Sequence, residues 1–376
     1  MQQIVRPCDE CHFAAADATE LFYRHWPATA TTTATSATAD APRRAIVLFH
    51  RGHEHGGRMA HLVDELNLPD FDFFAWDARG LGRSSGERGY ADNFGVLVKD
   101  VDSFVRHITT LHGIAAENLV VVAQSLGAVL VATWVHDYAP RLRGLVLAAP
   151  AFEINLLVPG ALEGLKLAYA ARGRFFVKSY VKPTQLTHDP ARIASYLADP
   201  LITRPIAVNI LLDVDAASRQ VVADAAAIHV PTQVLVSGAD RVVYEAPQQR
   251  FFDRLSSPIK ELHVFDGFLH DDTLGEQDRV RAVTLVSRSL AGLAEAVAPG
   301  GYLIYTNQPW HPQLEMIARS LSSHRDGLAW VMRRRVPAEM DELVAQVGFE
   351  KIDQFSDEWG IFRVSLARRP HSASAH

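Results

Sequence analysis

Short runs of apolar residues alternate along the chain with longer segments whose apolar residues recur at helical spacing. The runs are short enough for strands that are buried on both faces of a sheet. With a final strand at 261–265 that continues the alternation, the predicted strands cover residues 45–49, 71–76, 119–122, 142–148 and 232–236. Because helical segments of about ten residues or more separate them, the pattern predicts an α/β fold, with a mostly parallel sheet and helices on both faces.

Further elements are predicted from local pattern. Residues 12–16 and 20–26 read as two strands joined by a tight turn. Residues 28–41 are almost entirely alanine and threonine, which is typical of a surface loop. Helices are predicted at residues 59–68, 93–111 and 245–255.

The alternation stops between residues 152 and 227, where the sequence pattern is typical of helices and loops and predicts no strand. This insertion follows a strand at the carboxyl edge of the sheet, where α/β proteins bind their ligands. We therefore expect a helical cap at about 152–227, which would supply an apolar pocket and exclude water. The cap belongs to a first domain at residues 1–290, and residues 291–376 form a separate C-terminal segment.

The most informative stretch is the turn Ala123-Gln124-Ser125-Leu126-Gly127, which joins a buried strand directly to a helix. A turn this tight requires small flanking residues, and it leaves the serine oxygen exposed above a helix N-terminus. The pattern is that of a G-x-S-x-G nucleophile elbow with alanine in place of the first glycine. By itself, the pentapeptide is equally compatible with an ordinary serine at a helix N-cap.

An acid and a histidine follow in the positions that a nucleophile needs. Asp240 comes just after one predicted strand and His270 just after the next, so both are expected at the same sheet edge as Ser125. The order Ser, Asp, His is that of α/β-hydrolases. His270 would act as the base and Asp240 would orient it, while the backbone N–H groups of Leu126 and Gly52 would bind the oxyanion.

Several other acids compete for the role given to Asp240. They are Asp266, Asp271 and Asp272 around His270, and Asp213 and Asp215 in the cap. Asp240 is preferred because a residue at the end of a strand is held rigidly, which a group that orients a base requires.

Five motifs, taken in order, extend this picture: FHRGHEHGGRM, DARGLGRSSGERG, AQSLGA, SGADRVV and GFLHDD. With DPARIASYLADPL in the cap, they make residues 10–290 resemble monoacylglycerol lipases and related lysophospholipases of the α/β-hydrolase fold, a group often labelled serine aminopeptidase S33-like. The resemblance implies the same triad, Ser125, Asp240 and His270, with Gly52 and Leu126 as oxyanion donors. The chain departs from the family at Arg51, where the family usually has glycine after histidine, and at Ala123.

Two other motifs point to metal or haem chemistry, and neither is expected to be functional. Cys8-Asp9-Glu10-Cys11-His12 matches a haem-attachment string, but it leads directly into a strand and no export signal precedes it. The loop at residues 50–58 holds three histidines and Glu54, but a glycine-rich loop after a strand more often presents backbone N–H groups. The sequence therefore predicts no metal site and no cofactor. The oppositely charged pair Asp77 and Arg79 is expected to brace neighbouring loops.

Composition narrows the partners. The chain has 376 residues, of which 48% are hydrophobic, and a formal net charge of -6 with both signs mixed throughout. This charge pattern predicts no basic surface that would bind nucleic acid, and no apolar stretch predicts stable membrane insertion. With two cysteines and no signal peptide pattern, a cytoplasmic protein acting on a small ester or lipid is expected. The oligomeric state stays open.

Residues 290–369 resemble the C-terminal part of class I S-adenosylmethionine methyltransferases. A helix is expected to lead into residues 298–306, strands are expected near residues 330–334, 351–355 and 362–367, and further helices near 313–321 and 337–347. The glycine-rich turn that binds the cofactor is missing ahead of them, so the segment is expected to bind no S-adenosylmethionine and to be a remnant or a docking module.

The sequence as a whole predicts a serine hydrolase that cleaves carboxylic esters of the monoacylglycerol or lysophospholipid type through an acyl-enzyme. Two alternatives remain open at this point. One is a non-catalytic binding or scaffold protein with a hydrolase fold, and the other is the remnant of a bifunctional hydrolase and methyltransferase.

Overall fold

A computed structural model describes most of the chain. The described residues are 6–29, 42–66, 68–156, 158–272, 302–307, 341, 344–345, 349–356, 363–368 and 370. The chain divides into two compact units, Met1–Arg279 and Val280–His376. The loop predicted at 28–41 and the helix predicted after His270 fall largely or wholly outside the described residues.

The first unit is built on an eight-stranded sheet. Its strands, with the two short strands of the insertion, are β1 Asp9–Ala14, β2 Glu20–Trp26, β3 Arg44–Phe49, β4 Phe71–Trp76, β5 Leu119–Gln124, β6 Gly144–Ala148, β7 Phe176–Lys178, β8 Pro205–Ala207, β9 Thr232–Ser237 and β10 Lys260–Phe265. The order in the sheet is β1-β2-β4-β3-β5-β6-β9-β10, and the six strands from β4 to β10 run parallel. The predicted α/β class with a mostly parallel sheet is confirmed.

Helices connect the parallel strands. They are α1 His61–Glu65, α2 Phe94–Leu111, α3 Leu126–Tyr138, α4 Ala161–Arg172, α5 Pro190–Ala198, α6 Val208–Ala223 and α7 Glu245–Arg254. The prediction of a helix at 59–68 is wrong in length. A 3-10 turn at Gly56–Met59 overlaps the predicted start, and α1 has only five residues. In contrast, α2 begins where predicted, since the side chain of Asn93 accepts the N–H of Val96 at 3.1 Å and caps the helix.

The centre of the sheet positions the chemistry. Strand β5 pairs with β3 on one side and with β6 on the other, and α3 behind it contacts α2 and α6. Eight of the thirteen residues of α3 are buried, including Trp134. The serine between β5 and α3 therefore sits on the most thoroughly packed part of the unit, which fixes its backbone.

The cap lies between β6 and β9 and differs from its prediction in one respect. The insertion contains α4, α5 and α6, as expected, but β7 and β8 also pair with each other as a small antiparallel sheet. The expectation that the insertion has no strand is wrong. Strands of three residues show no measurable periodicity, so only their pairing, 27 residues or more apart, reveals them.

In the second unit the described residues form a three-stranded antiparallel sheet. Its strands are β11 Tyr302–Asn307, β12 Glu350–Ser356 and β13 Arg363–Arg368, in the order β11-β13-β12. Strands β12 and β13 match two of the predicted strands, whereas no strand was predicted at β11. The predicted strand at 330–334 and helix at 313–321 lie outside the described residues, as does most of the helix at 337–347.

Candidate active site

Ser125 occupies the tight turn between β5 and α3. Its backbone has φ 55° and ψ -117°, a conformation that residues other than glycine rarely adopt. Its N–H donates to the carbonyl of Ala148 at 2.9 Å. At Gly127 a Cβ atom would lie 2.3 Å from the carbonyl oxygen of His50, so this position admits only glycine. The turn is therefore held in a strained form by close backbone packing, which is what a nucleophile elbow requires.

The three residues predicted to act together are joined by hydrogen bonds. Nε2 of His270 lies 2.7 Å from Oγ of Ser125, and Nδ1 of His270 lies 2.7 Å from Oδ2 of Asp240. The side chains of His270 and Asp240 are 2% and 3% exposed, so water hardly competes for these bonds.

The carboxylate of Asp240 is itself fixed. Its Oδ1 accepts the backbone N–H groups of Val242 and Val243 at 2.7 and 3.0 Å, just after β9. An acceptor-only carboxylate at this position sets the tautomer of His270, because the Nδ1 atom facing it must carry the proton. Nε2 is then free to accept the proton of the Ser125 hydroxyl, so the arrangement can generate an alkoxide-like nucleophile.

The competing acids lie elsewhere. Asp213 accepts the N–H of Phe94 at 3.0 Å, and Asp215 pairs with Arg219 at 2.9 Å within α6. Asp272 accepts the N–H of Leu269 at 2.8 Å, and Asp266 is exposed. Asp271 is buried and faces Gln124 rather than the ring of His270.

Gly52 and Leu126, the two predicted oxyanion donors, lie next to each other. A Cβ atom on Gly52 would be 3.4 Å from the side chain of Leu126, which is ordinary van der Waals contact. Leu126 is the first residue of α3, where backbone N–H groups have no partner inside the helix. The loop after β3 thus passes directly beside the N-terminus of the helix that follows the serine.

His50 holds that loop in place. Its Nε2 accepts the N–H of Ala78 at 3.0 Å, so Nδ1 carries the proton and donates to the carbonyl of Arg51 at 2.7 Å. Burial lowers the pKa of His50 to about 4, which keeps the ring neutral. The loops after β3 and β4 are joined through this one side chain.

Asp77 and Arg79 brace loops, as predicted. Asp77 accepts the N–H groups of Gly56 and Arg83, both at 2.8 Å, and pairs with Arg24 at 2.9 Å. Arg79 forms an ion pair with the buried Asp100 at 2.8 Å.

Arg51 is a feature whose role sequence reasoning missed. It is 6% exposed, pairs with Glu54 at 2.6 Å and lies 3.7 Å from Asp271. The only signal was the departure from the family's glycine, and that departure did not indicate which acids a buried guanidinium would meet. A charge this deeply buried requires compensating partners.

Two cavities lie near the serine. The smaller, about 60 Å³, is apolar and reaches from Gly52 and Leu126 to Ile206 and Ile210 of the cap. The larger, about 440 Å³, lies beside the loop after β6, between α4 and α6, and includes Ala151. The N–H of Ala151 donates to the carbonyl of Ser125 at 3.1 Å, so a residue that lines the larger cavity is bonded to the elbow.

The histidines at residues 50–58 have partners other than a metal. Nδ1 of His53 lies 2.7 Å from the carbonyl of Thr203, and Nε2 of His55 lies 2.9 Å from Asp199, both in the cap. Within the ranges that the structure describes, no three or more His, Cys, Asp or Glu side chains form a group that could hold a metal ion. Cys8 is exposed and Cys11 is partly buried, and both are free thiols.

The geometry defines the class as an α/β-hydrolase, and comparison with known proteins gives the family. Residues 40–278 match the model of the family described as serine aminopeptidase, S33. The chain belongs to this family, and its relatives place it among the carboxylic ester hydrolases. Residues 279–369 match a second model, described as a putative methyltransferase. The resemblances drawn from the motifs are confirmed for both parts.

Relatives extend over one or both parts. An uncharacterized protein of Escherichia coli, YnbC, is 36% identical, with 96% of this chain and 98% of the relative covered. A monoacylglycerol lipase of Mycolicibacterium smegmatis is 27% identical over 61% of this chain and 82% of its own. The crystal structure of a monoacylglycerol lipase of Paleococcus ferrophilus superposes with a TM-score of 0.58 at 23% identity, covering 67% of this chain and 91% of that one, and shares the fold.

The alignment with the Escherichia coli relative spans 584 positions, whereas this chain has 376 residues. Since both chains are covered almost from end to end, the relative contains a long internal stretch that has no counterpart here. Among the helices that the structure describes, none has both the length and the hydrophobicity needed to cross a bilayer.

Proposed function

We propose that this protein is a serine hydrolase that cleaves carboxylic esters of single-chain lipids, monoacylglycerols or lysophospholipids, through an acyl-enzyme. The observation that carries the proposal is the buried hydrogen-bond chain from Ser125 through His270 to Asp240. The strained backbone of Ser125 supports it, because strain of this kind persists where the surrounding structure enforces it and clusters at active sites.

In the proposed reaction His270 takes the proton of Ser125 as its oxygen attacks the ester carbonyl. The tetrahedral intermediate collapses to an acyl-serine when His270 gives this proton to the leaving alcohol. Water, activated by the same ring, then releases the acid and restores the serine. Asp240 keeps the ring oriented and stabilises its charged form during both steps.

The negative charge of each intermediate would fall beside the N-terminus of α3. The N–H groups of Leu126 and Gly52 are the proposed donors, since their residues lie side by side next to the serine. Donors that are already in place act strongly in a site that excludes water. His50 would support them by holding the loop of Gly52 to the loop after β4.

The substrate class follows from the walls near the serine and from the relatives. The cavity beside Gly52 and Leu126 is lined mainly by apolar side chains, among them Leu81, Leu97 and Ile210. An acyl chain is the part of an ester that such a surface accommodates. The relatives of known activity include a monoacylglycerol lipase, which favours a lipid ester over an aryl ester or a peptide.

The test compares the purified protein with Ser125→Ala, His270→Ala and Asp240→Asn on p-nitrophenyl esters and on a series of monoacylglycerols. We expect kcat to fall by about 10³-fold or more in each variant, while circular dichroism shows the fold intact. A fluorophosphonate probe should label the wild type and not Ser125→Ala. Undiminished turnover by Ser125→Ala would disprove the mechanism, and an unlabelled, inactive wild type would favour a scaffold role.

The C-terminal segment is proposed to contribute no methyl transfer. It matches a methyltransferase model only over residues 279–369, and the Escherichia coli relative has a long internal stretch that is absent here. Both facts favour the remnant of a longer, two-part protein. Calorimetric titration with S-adenosylmethionine should give no binding heat, and saturable binding would contradict the proposal.

A further inference from the structure

Asp271 follows His270 directly, yet the proposed mechanism gives it no role. Its side chain is buried, with 4% of the residue exposed. Oδ1 accepts a hydrogen bond from Nε2 of Gln124 at 2.7 Å, and Nε of Arg51 lies 3.7 Å from the same oxygen. Oδ2 accepts from Nη2 of Arg192 at 3.3 Å. A buried carboxylate with this many partners is placed by all of them together.

These partners come from three different parts of the site. Gln124 precedes the serine in the elbow, Arg51 precedes Gly52 in the proposed oxyanion loop, and Arg192 lies on α5 of the cap. The backbone N–H of Asp271 adds a second bond to the cap, to the carbonyl of Leu186 at 2.6 Å. One carboxylate therefore joins the elbow, the loop after β3 and the cap at the residue next to the catalytic base.

A chain of charges gives the cap another route to the same point. Arg51 also pairs with Glu54, which accepts from Nε of Arg58 at 2.8 Å. Arg58 in turn lies 3.4 Å from Asp199, just past the end of α5. Because these charges are mostly buried, removing one leaves its partner uncompensated, and the others must rearrange.

We propose that Asp271 is a positioning residue, which couples the seating of α5 to the alignment of His270 with Ser125. This rests on the proposed function. With Arg192 in place, Oδ2 is anchored to the cap and Oδ1 to Gln124, so the His270 loop is held against the elbow. Without that contact the side chain of Asp271 is held only by the elbow and the loop after β3, and a displacement of about 1 Å at the reacting atoms lowers the rate by about 10²-fold.

The first variant is Asp271→Asn, which keeps the shape and one acceptor oxygen and removes the charge. Its control is Asp137→Asn, an exposed carboxylate paired with His136 on the far end of α3. We expect Asp271→Asn to lower kcat for a short, soluble p-nitrophenyl ester by about 10-fold or more, with KM changed less than about threefold. The rate of labelling by a fluorophosphonate should fall by a similar factor, and the control should leave all three unchanged.

The second variant, Arg192→Met, tests the link to the cap and does not depend on the folding of the first. It should also lower kcat, Arg192→Lys should restore part of the loss, and Arg106→Met, which breaks an exposed pair with Asp102, should have no effect. In the double variant with Asp271→Asn, Arg192→Met should lower kcat little further, because the two residues act through one contact.

Each result separates this inference from the proposed function. A wild type that neither hydrolyses esters nor reacts with the probe would overturn both. An active wild type whose kcat survives either Asp271→Asn or Arg192→Met overturns the positioning role alone. Fully additive losses in the double variant would show that the two residues act independently and would overturn the coupling.

Discussion

Helices α3 and α4 are both rich in apolar residues, but the protein treats them in opposite ways. In α3, behind the proposed nucleophile, eight residues are buried, from Gly127 to Val135. In α4, at the start of the cap, none is buried, and Leu167 is 73% exposed. Part of the difference is in the sequence, since α4 carries Glu163, Lys166 and Arg172 among its apolar residues. The rest comes from position, because α3 lies between the sheet and other helices, whereas α4 has its main contact with α6.

The difference indicates that the core and the cap have different roles. Proposed catalytic groups stand on the core side, where strand ends, buried hydrogen bonds and close backbone packing hold them within fractions of an ångström. The cap is tied to the core through α6, which has seven buried residues, and through contacts such as His53 with Thr203 and Arg192 with Asp271, whereas α4 has no buried residue. A helix without buried residues can move to accept different substrates while the chemistry beneath it stays fixed.

The largest effect that tests this comparison is expected from Gly127→Ala. The new Cβ would lie 2.3 Å from the carbonyl of His50, and neither side can yield, since His50 is buried and bonded to Ala78. We expect the free energy of unfolding, measured by urea denaturation, to fall by about 4 kcal/mol or more, with loss of esterase activity.

The matched control is Gly164→Ala in α4, where a Cβ would meet no atom within 4 Å. There the free energy of unfolding should rise by about 0.5 to 1 kcal/mol, because alanine is the better helix former. If both substitutions had the same effect, the contrast between the two helices would be wrong.

A change of pH is expected to have a smaller effect on the free energy of unfolding, through the buried ring of His50. Its pKa is lowered by burial to about 4, so between pH 6.5 and 5 the unfolded chain binds a proton that the folded one does not. Stability should therefore fall as the pH is lowered through this range, by about 2 kcal/mol from this residue.

The measurement is the difference between wild type and His50→Gln in unfolding free energy at pH 6.5 and at pH 5. The variant should lose less stability on acidification, whatever its stability at pH 6.5. His229→Gln, at an exposed position, should change as the wild type does. Equal pH dependence in His50→Gln and wild type would show that the pKa of His50 is not lowered in the folded protein.

How much could be predicted from the sequence also differs between the two regions. The strands before Ser125 and Asp240 were identified because each is a compact apolar run that stops at turn residues, and the strand before His270 because it continues the same alternation and also stops at turn residues; these are local signals. Since parallel strands place their carboxyl ends at one edge, local signals were enough to expect the three residues together. The glycine at 127 was expected as a small residue, although the His50 carbonyl that demands it could not be.

Contacts between distant residues account for what was missed. The pairing of β7 with β8 joins short segments that carry no periodic pattern. The partners of Asp271 come from residues 51, 124 and 192, and nothing in any one stretch indicates that they meet. Asp271 was weighed only as a rival to Asp240, because adjacency to His270 is visible in the sequence and a buried contact to the cap is not.

The smallest effect is expected on α4 itself. Leu167→Ala removes three side-chain carbons from a residue that is 73% exposed, so the unfolding free energy should change by less than about 0.5 kcal/mol. Val131→Ala in α3 removes less, but from a fully buried residue, and should cost about 2 kcal/mol because it leaves a cavity. Urea denaturation of the two variants gives both values, and kcat for a short, soluble ester should be unchanged in Leu167→Ala. If the larger deletion on α4 cost more than the smaller one in the core, α4 would have to be packed against another surface and could not be the loosely held part of the cap.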